Sequence, residues 1–177
     1  MPNELVVLVD DNGRHLGSAP KAQVHHESTP LHLAFSCYLF DRTGNLLLTR
    51  RALHKRTFAG IWTNSCCGHP APGESMSDAV RRRVREELGV GIAELTCVLP
   101  DFRYYAVATD GVAENELCPV YCGRAEGPVR ADPDEVMDYE WAPWEHAVTA
   151  ARLGWAISPW AAEQIPLLDA AGIRRGS

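Results

Sequence analysis

The sequence has no apolar run that approaches the roughly 20 residues of a membrane-spanning helix. Its N-terminus also lacks the basic segment and apolar stretch that mark a secretory signal. These absences argue against a membrane partner and predict a location in the cytoplasm. Six cysteines are present, and without a secretion signal we expect reduced thiols in place of a disulfide framework.

An excess of positive charge is also absent. The formal net charge is -6 at pH 7, which disfavours non-specific binding to nucleic acid. An anionic ligand would therefore need a local cluster of Lys and Arg. The sequence contains no internal repeat, no low-complexity segment and no linker. We expect one domain over residues 1–177, and a monomer, with a core drawn from the 46% of residues that are hydrophobic.

Apolar and alternating segments separated by turn residues predict strands, and a longer amphipathic segment predicts a helix. The predicted strands cover residues 4–10, 15–20, 31–41, 45–51, 62–67, 95–109, 114–123 and 134–141. The predicted helices cover residues 75–88, 143–151 and 159–171. The segment Arg42-Thr43-Gly44 is a hairpin signal between two of the strands.

The helix at residues 75–88 has signals at both ends. Ser75 or Ser77 can cap its start, and Gly89 is well placed just past its end. An apolar stripe repeats every four residues at Met76, Val80, Val84 and Leu88. Arg83 and Glu87 are four residues apart beside this stripe, so both can face one pocket. Taken alone, the same pattern also fits a surface helix covered with salt bridges.

Glu114 and Glu116 share one face of a predicted strand that is otherwise apolar. Two like charges on such a face are costly unless a cation lies between them. We therefore expect a metal-binding or catalytic role for the pair. The histidines are less specific on their own: His25 lies in a polar loop, where histidines are usually exposed, and His32 would ordinarily be a satisfied core residue.

One stretch resembles the Nudix box, G-x5-E-x7-R-E-U-x-E-E-x-G-U, in which U is a bulky aliphatic residue. The matching residues are Gly68, Glu74, Arg82, Val84, Glu86, Glu87, Gly89 and Val90. Arg83 departs from the box, which has Glu at that position. The resemblance implies an α/β fold of the Nudix type, an α/β/α sandwich with mixed β-sheets. By itself, the box implies a Mg²⁺-dependent diphosphate hydrolase.

Three further features resemble the type I isopentenyl-diphosphate Δ-isomerase family, over a match that runs from about Lys21 to Trp160. They are the segment TNSCCGHP with Cys67 and His69, the strand segment Glu114-Asn115-Glu116, and the pair His25 and His32 upstream of LAFS. The resemblance implies interconversion of isopentenyl and dimethylallyl diphosphate through a carbocation-like centre, in isoprenoid biosynthesis. It also implies that about residues 1–30 form an N-terminal extension that contributes metal and diphosphate contacts.

The resemblance to the isomerases assigns two metal sites. Three imidazoles and two carboxylates would form the first, from His25, His32, His69, Glu114 and Glu116. Mixed nitrogen and oxygen ligands of this kind suit Mn²⁺, Zn²⁺, Fe²⁺ or Mg²⁺. Glu87 would hold a second ion, Mg²⁺, that also contacts the substrate diphosphate.

The same resemblance assigns the remaining site residues. Cys67 and Glu116 would be the catalytic groups on opposite faces of an isoprenyl diphosphate substrate. Tyr104 and Trp160 would line the isoprenyl pocket, where an indole face can stabilise a cation. The cationic contacts to diphosphate would be Lys21, Arg51, Lys55 and Arg83.

Two alternative functions remain open at this point. A Nudix hydrolase of another diphosphate would explain the box, but it gives Cys67 and the three histidines no shared purpose. A binding module without activity would usually lose the box glutamates, which are present here. Arg83 favours the isomerase, because an Arg in place of Glu removes a metal ligand and adds a phosphate contact beside Glu87.

Overall fold

A computed structural model describes residues 4–173 of the chain. These residues contain two β-sheets and four helices, joined by loops and turns. The strands are β1 (Leu5–Val9), β2 (His15–Pro20), β3 (His32–Leu33), β4 (Phe35–Phe40), β5 (Leu46–Arg51), β6 (Trp62–Thr63), β7 (Cys66–Gly68), β8 (Gly91–Leu99), β9 (Arg103–Val107), β10 (Ala113–Leu117), β11 (Val120–Glu126) and β12 (Val136–Ala142). The helices are α1 (Lys21–Val24), α2 (Met76–Leu88), α3 (Trp144–Leu153) and α4 (Pro159–Ala170). The predicted α/β class is confirmed.

Both sheets are mixed. The first has the strand order β2-β1-β3-β10-β9, and the second has the order β12-β5-β4-β11-β8, with β6 paired to β5 and β7 paired to β4. The pairs β3–β10 and β4–β11 are parallel, and the other pairs are antiparallel. Among the helices of residues 4–173, none has the length and apolar character needed to cross a membrane.

The prediction of one continuous strand was wrong at residues 31–41, 95–109 and 114–123. Each of these segments is two strands that belong to different sheets: β3 and β4, β8 and β9, and β10 and β11. Pro119 explains one break, because a proline has no N–H to continue a ladder. The apolar pattern continues through the crossings at Ala34 and at Cys118-Pro119, so there it does not mark the change of sheet. Between β8 and β9, Pro100 and Asp101 form a turn. Residues 62–67 are likewise divided, between β6 and β7.

Helix α2 begins and ends where its sequence signals lie. The Ser75 hydroxyl accepts a hydrogen bond from the backbone N–H of Asp78, and Gly89 takes the left-handed conformation with φ 67°. Three residues of the predicted stripe, Val80, Val84 and Leu88, are completely buried. The polar face beside the stripe is also covered, so that Arg83 and Glu87 of this helix are buried side chains.

Strand β4 separates two hydrophobic clusters because its side chains alternate between the faces of the sheet. Phe35, Cys37 and Leu39 pack in the cluster that includes α2. Tyr38, on the other face, packs in the cluster that includes α3 and α4, and Trp160 lies there too. The second sheet is thus covered by helices on both faces, in agreement with the expected sandwich.

We predict that Gly123→Ala lowers the free energy of unfolding by about 1–3 kcal/mol, because the added methyl group overpacks the β8–β11 pair. A Cβ at Gly123 would lie 2.5 Å from Cγ2 of Ile92, a stiff β-branched side chain. Gly91 in the same strand pair is the control, since its nearest contact would be 3.4 Å. Chemical denaturation of both variants measures the difference, and equal stabilities would contradict the prediction.

Candidate active site

A cavity of about 580 Å³ opens beside β7, α2 and β10. The predicted site residues that line it are Lys21, His25, Arg51, Lys55, Cys67, His69, Arg83, Glu87, Tyr104, Glu114, Glu116 and Trp160. The remaining predicted site residue, His32, is completely buried, with its ring centroid 5.2 Å from those of both His25 and His69. The fold therefore brings together every side chain that the sequence assigned to the site.

Four of these side chains form a compact group of metal-ligand type. One ligand atom from each of His25, His32, His69 and Glu116 lies within 4.8 Å of all the others, and all four residues are buried. Strand pairing creates part of the group, because His32 in β3 stands directly opposite Glu116 in β10. His25 follows α1, and His69 follows β7, so the group joins elements of both sheets.

The hydrogen bonds around this group leave lone pairs that suit a cation. Nδ1 of His32 donates to the carbonyl of Pro30 at 2.9 Å, so the imidazole directs its Nε2 lone pair inward when neutral. That Nε2 has no hydrogen-bond partner among the described residues. It faces a carboxylate oxygen of Glu116 at 3.6 Å, which is also an acceptor. Two buried acceptors that face each other are costly unless a proton or a metal ion lies between them.

Burial and charge set the protonation of the group. Burial lowers the pKa of both His25 and His69 to about 4, so these imidazoles are neutral at pH 7, the form that binds metals. Burial alone would raise the pKa of Glu116, but the neighbouring imidazoles of His32 and His69 hold it well below its usual range. His32 has a raised pKa despite its burial, because Glu116 favours its charged form. The donor set therefore fits a divalent cation.

Glu114, the other predicted metal ligand, lies outside the four-residue group defined by the described residues. Its carboxylate accepts hydrogen bonds from the Tyr104 hydroxyl at 2.5 Å and from the Thr57 hydroxyl. Burial and the charge of Glu116 raise the pKa of Glu114. Thr57 was not predicted as a site residue, because it lies in the irregular segment between β5 and β6, where spacing predicts no partner.

The predicted diphosphate contacts also line the cavity, and carboxylates neutralise several of them. Lys21 is 3.0 Å from Glu4, and Lys55 forms an ion pair with Glu135. Glu135 was missed because it belongs to an acidic run, Asp132 to Glu135, of the kind that is usually a solvated surface. Burial lowers the pKa of Lys55 to about 8.

Arg83 is the most strongly paired of these cations. Its guanidinium forms ion pairs with Glu87, with Glu86 at 3.0 Å and with Glu135 at 3.4 Å. The expected approach of Arg83 and Glu87 on one helix face is confirmed by this contact. The residue that departs from the Nudix box therefore points into the cavity beside a box glutamate.

Cys67 lies in β7 with its thiol at the cavity wall. The thiol donates to Oδ1 of Asn64 at 3.3 Å, and the Ser36 hydroxyl lies 3.6 Å away. Burial raises the pKa of Cys67 to about 12, so the thiol keeps its proton at neutral pH. The cavity thus contains a protonated thiol at Cys67 and an ionised carboxylate at Glu116, which can act as proton donor and proton acceptor.

Aromatic rings also line the cavity, at Tyr104 and Trp160. The Trp160 ring packs edge-on against Phe58 at 5.3 Å between centroids and lies 5.9 Å from the Tyr104 ring. The guanidinium carbon of Arg51 lies 5.6 Å from the centroid of the indole. A cation is therefore already accommodated at the π face of Trp160.

Sequence comparisons identify the family and the relatives of this chain. A family model for the NUDIX domain matches residues 30–166. The chain is 76% identical over 170 residues to the isopentenyl-diphosphate Delta-isomerase of Mycolicibacterium vanbaalenii. The matched region covers 96% of this chain and 94% of that protein. It is 55% identical over 161 residues to the protein of the same name from Frankia alni, covering 90% of this chain and 83% of that protein.

Solved structures share the fold at much lower identity. DR0079 from Deinococcus radiodurans has a TM-score of 0.71 and 22% identity, covering 92% of this chain and 98% of that chain. The MutT protein from Methanosarcina mazei has a TM-score of 0.64 and 20% identity, covering 81% of this chain and 96% of that chain. At these identities the likeness concerns the fold alone.

We predict that Mn²⁺ or Zn²⁺ raises the free energy of unfolding, by about 2.7 kcal/mol at a free concentration 100 times the dissociation constant. His32→Ala should abolish this increase, because it removes a ligand from the buried group. His26→Ala is the control, since His26 is the exposed neighbour of His25. Denaturation with and without metal measures the effect. An undiminished increase in His32→Ala would contradict the predicted ligand set.

We also predict that the affinity for Mg²⁺-pyrophosphate falls as the pH rises through about 8, where the Lys55 amine loses its proton. A bound polyanion favours the charged amine, so above this pH binding must first return a proton to Lys55. Lys55→Arg is the matched variant, because a guanidinium stays charged. Calorimetry from pH 7 to 9.5 tests this. The same pH dependence in both proteins would exclude Lys55 as the cause.

Proposed function

Because the chain belongs to the Nudix family and, within it, to the isopentenyl-diphosphate Δ-isomerases, we propose that it interconverts isopentenyl diphosphate and dimethylallyl diphosphate. The observation that carries the chemical part of this proposal is the pairing of two groups in one cavity. The buried Cys67 thiol keeps its proton, and the buried Glu116 carboxylate is ionised. The cations and the aromatic wall beside them suit the two ends of an isoprenyl diphosphate.

The reaction moves a double bond by adding a proton to one carbon and removing a proton from another, with no net change in oxidation state. In the direction in which Cys67 gives its proton to the alkene, Glu116 accepts the proton that leaves. In the reverse direction the two groups exchange these roles. Each needs a defined protonation state, and burial and the neighbouring imidazoles supply it.

Protonation of an unactivated alkene produces a tertiary cation, which the site must stabilise and keep from water. The Trp160 ring offers a π face, worth about 2 kcal/mol or more to a desolvated cation. Tyr104 and Phe58 hold this ring in place. We propose that closing the cavity over the substrate excludes water, which would otherwise capture the cation.

The buried imidazole group would hold a divalent metal, through His25, His32, His69 and Glu116. We propose Glu114 as a further ligand, once its carboxylate turns from its hydroxyl partners. The ion is Mn²⁺ in this proposal, with Zn²⁺, Fe²⁺ and Mg²⁺ as the other ions that the donor set accepts. When bound, such an ion fixes the orientation of the Glu116 carboxylate and offsets the cost of its buried charge.

The diphosphate end would be held by Lys21, Arg51, Lys55 and Arg83, together with a Mg²⁺ at Glu87. Arg83 occupies the position of a glutamate in the hydrolase box, so the helix offers a phosphate contact where a hydrolase has a metal ligand. The diphosphate would therefore serve to bind the substrate and would not be cleaved. The hydrolase alternative is not favoured. Lys21 and His25 precede residue 30, where the family match begins, and we propose that this N-terminal extension and the remaining residues form one domain.

Location and assembly belong to the proposal as well. All six cysteines, which lie within the described residues, are unpaired thiols, and this supports a reducing compartment such as the cytoplasm. We propose a monomer, since all the predicted site residues come from one chain.

An assay in deuterated water tests the function. The protein, incubated with isopentenyl diphosphate and Mn²⁺ plus Mg²⁺, should form dimethylallyl diphosphate that contains deuterium, followed by NMR. Cys67→Ala and Glu116→Gln should each lower kcat by about 100-fold or more, because each removes a proton-transfer group. Cys97→Ala, which removes an exposed thiol, is the control.

The competing outcomes are distinct. Release of phosphate or pyrophosphate without isomer formation would replace the isomerase with a hydrolase. Ligand binding without any turnover would instead indicate a binding module. Full activity in Cys67→Ala would reject the assignment of the proton donor while leaving the overall reaction in place.

A further inference from the structure

Asn64 is a completely buried side chain next to the catalytic strand β7, and its amide group has a fixed orientation. Its Nδ2 donates to the backbone carbonyls of Cys37 at 3.0 Å and Cys66 at 2.9 Å. Because carbonyl oxygens only accept hydrogen bonds, the amide cannot be reversed without losing both contacts. Its oxygen, Oδ1, must therefore point to the opposite side.

That oxygen accepts hydrogen bonds from both the proposed proton donor and the aromatic ring that would stabilise the cation. The Cys67 thiol donates to Oδ1 of Asn64 at 3.3 Å, and the Trp160 indole N–H donates to it at 2.9 Å. The Thr63 hydroxyl completes the set at 2.8 Å. An indole N–H can only donate, so the assignment of this contact does not depend on a choice of tautomer. One carbonyl oxygen thus connects the thiol with the aromatic ring.

This connection fixes where the thiol stands relative to the π face. Asn64 holds the N–H edge of the Trp160 ring, while Phe58 packs against the ring edge-on. The side of the ring near Arg51 accommodates a cation, since the guanidinium carbon of Arg51 lies 5.6 Å from the ring centroid. Cation–π attraction needs the charge within about 6 Å of the ring centroid. When one carbon of a double bond takes a proton, the positive charge develops on the neighbouring carbon. The stabilisation of that charge therefore depends on how the thiol and the ring are placed relative to each other.

We infer that Asn64 is a positioning residue, which aims the Cys67 thiol at one carbon of the substrate double bond and the Trp160 π face at the neighbouring carbon, where the positive charge develops. This inference rests on the proposed function, since it assigns Asn64 a part in proton delivery to an isoprenyl group. Asn64 does not line the cavity wall, and it acts through the two residues that it holds. Its loss should therefore affect turnover much more than substrate binding.

Ser65 provides a matched control for a merely structural role. It is also completely buried, and it follows Asn64 directly in the chain. Its hydroxyl donates to the Leu47 carbonyl at 2.7 Å and accepts from the Leu39 N–H at 2.8 Å. These contacts tie the segment to β4 and β5 of the second sheet and involve neither the thiol of Cys67 nor the indole of Trp160.

The kinetic test compares Asn64→Ala with Ser65→Ala in the isomerisation assay. Asn64→Ala should lower kcat by about 100-fold, the effect of misplacing reacting groups by about 1 Å. KM for isopentenyl diphosphate should change by less than about threefold, because the diphosphate contacts are untouched. Ser65→Ala should keep kcat within about threefold of the wild type. Equal losses in the two variants, or a change confined to KM, would overturn the inference.

A second readout does not depend on activity. In ¹⁵N-tryptophan spectra, Trp160→Phe identifies the indole signal of Trp160. Hydrogen exchange of that indole proton should be at least about tenfold faster in Asn64→Ala, and unchanged in Ser65→Ala, because only the first variant loses the acceptor. An unchanged rate in Asn64→Ala would overturn the inference even for an active enzyme.

The two readouts also separate the inference from the proposed function. A wild-type protein that does not isomerise the substrate would reject the function, and indole exchange would still decide whether Asn64 fixes the ring. Should Asn64→Ala fail to fold, Trp160→Phe replaces it in the kinetic test, since Phe keeps an aromatic face and removes the N–H. Full kcat in Trp160→Phe would then overturn the inference.

Discussion

Glu116 is buried to 6% exposure, and a charge at that depth requires partners that offset its lost hydration. Its Oε1 lies 3.6 Å from a ring nitrogen of His32 and 3.3 Å from one of His69. His32 lies opposite it in the first sheet, whereas His69 follows a strand of the second sheet. The need to satisfy this single carboxylate therefore holds the two sheets together at the place where the cavity opens, and the rest of the site is arranged around that junction.

The path of the chain explains why the site lies there. One residue, Ala34, separates β3 from β4, and the short segment Cys118-Pro119 separates β10 from β11. His32 and Glu116 lie just before these two crossings and so belong to the first sheet. Cys67 pairs across to β4 and belongs to the second sheet. Groups of opposite chemical role thus come from different sheets but meet in one cavity, which a single sheet could not arrange with the same enclosure.

The sequence predicted two kinds of feature correctly: helix ends that neighbouring residues determine, and site side chains that belong to a spaced motif. The boundaries of α2 follow from Ser75 and Gly89, and the box and strand motifs identified side chains that the fold brings together. The crossing at Ala34 could not be predicted, because the apolar pattern continues unchanged from one sheet into the next. Glu135 looked like surface charge, since its cationic partners are distant in sequence. Asn64 lies in the segment TNSCCGHP, but the sequence assigned it no role, because its importance depends on contacts made only in three dimensions.

The cations of the cavity are not free, and this has a consequence for selectivity. Lys21 is engaged by Glu4, while Glu135 engages both Lys55 and Arg83. An anion that binds these cations would have to displace the internal carboxylates, so its binding would exchange one set of negative charges for another. A monovalent anion would gain little from such an exchange, whereas a polyvalent one could replace several carboxylates together. We therefore expect the cavity to discriminate by valence, and we expect the same carboxylates to compete with a departing product for the cations.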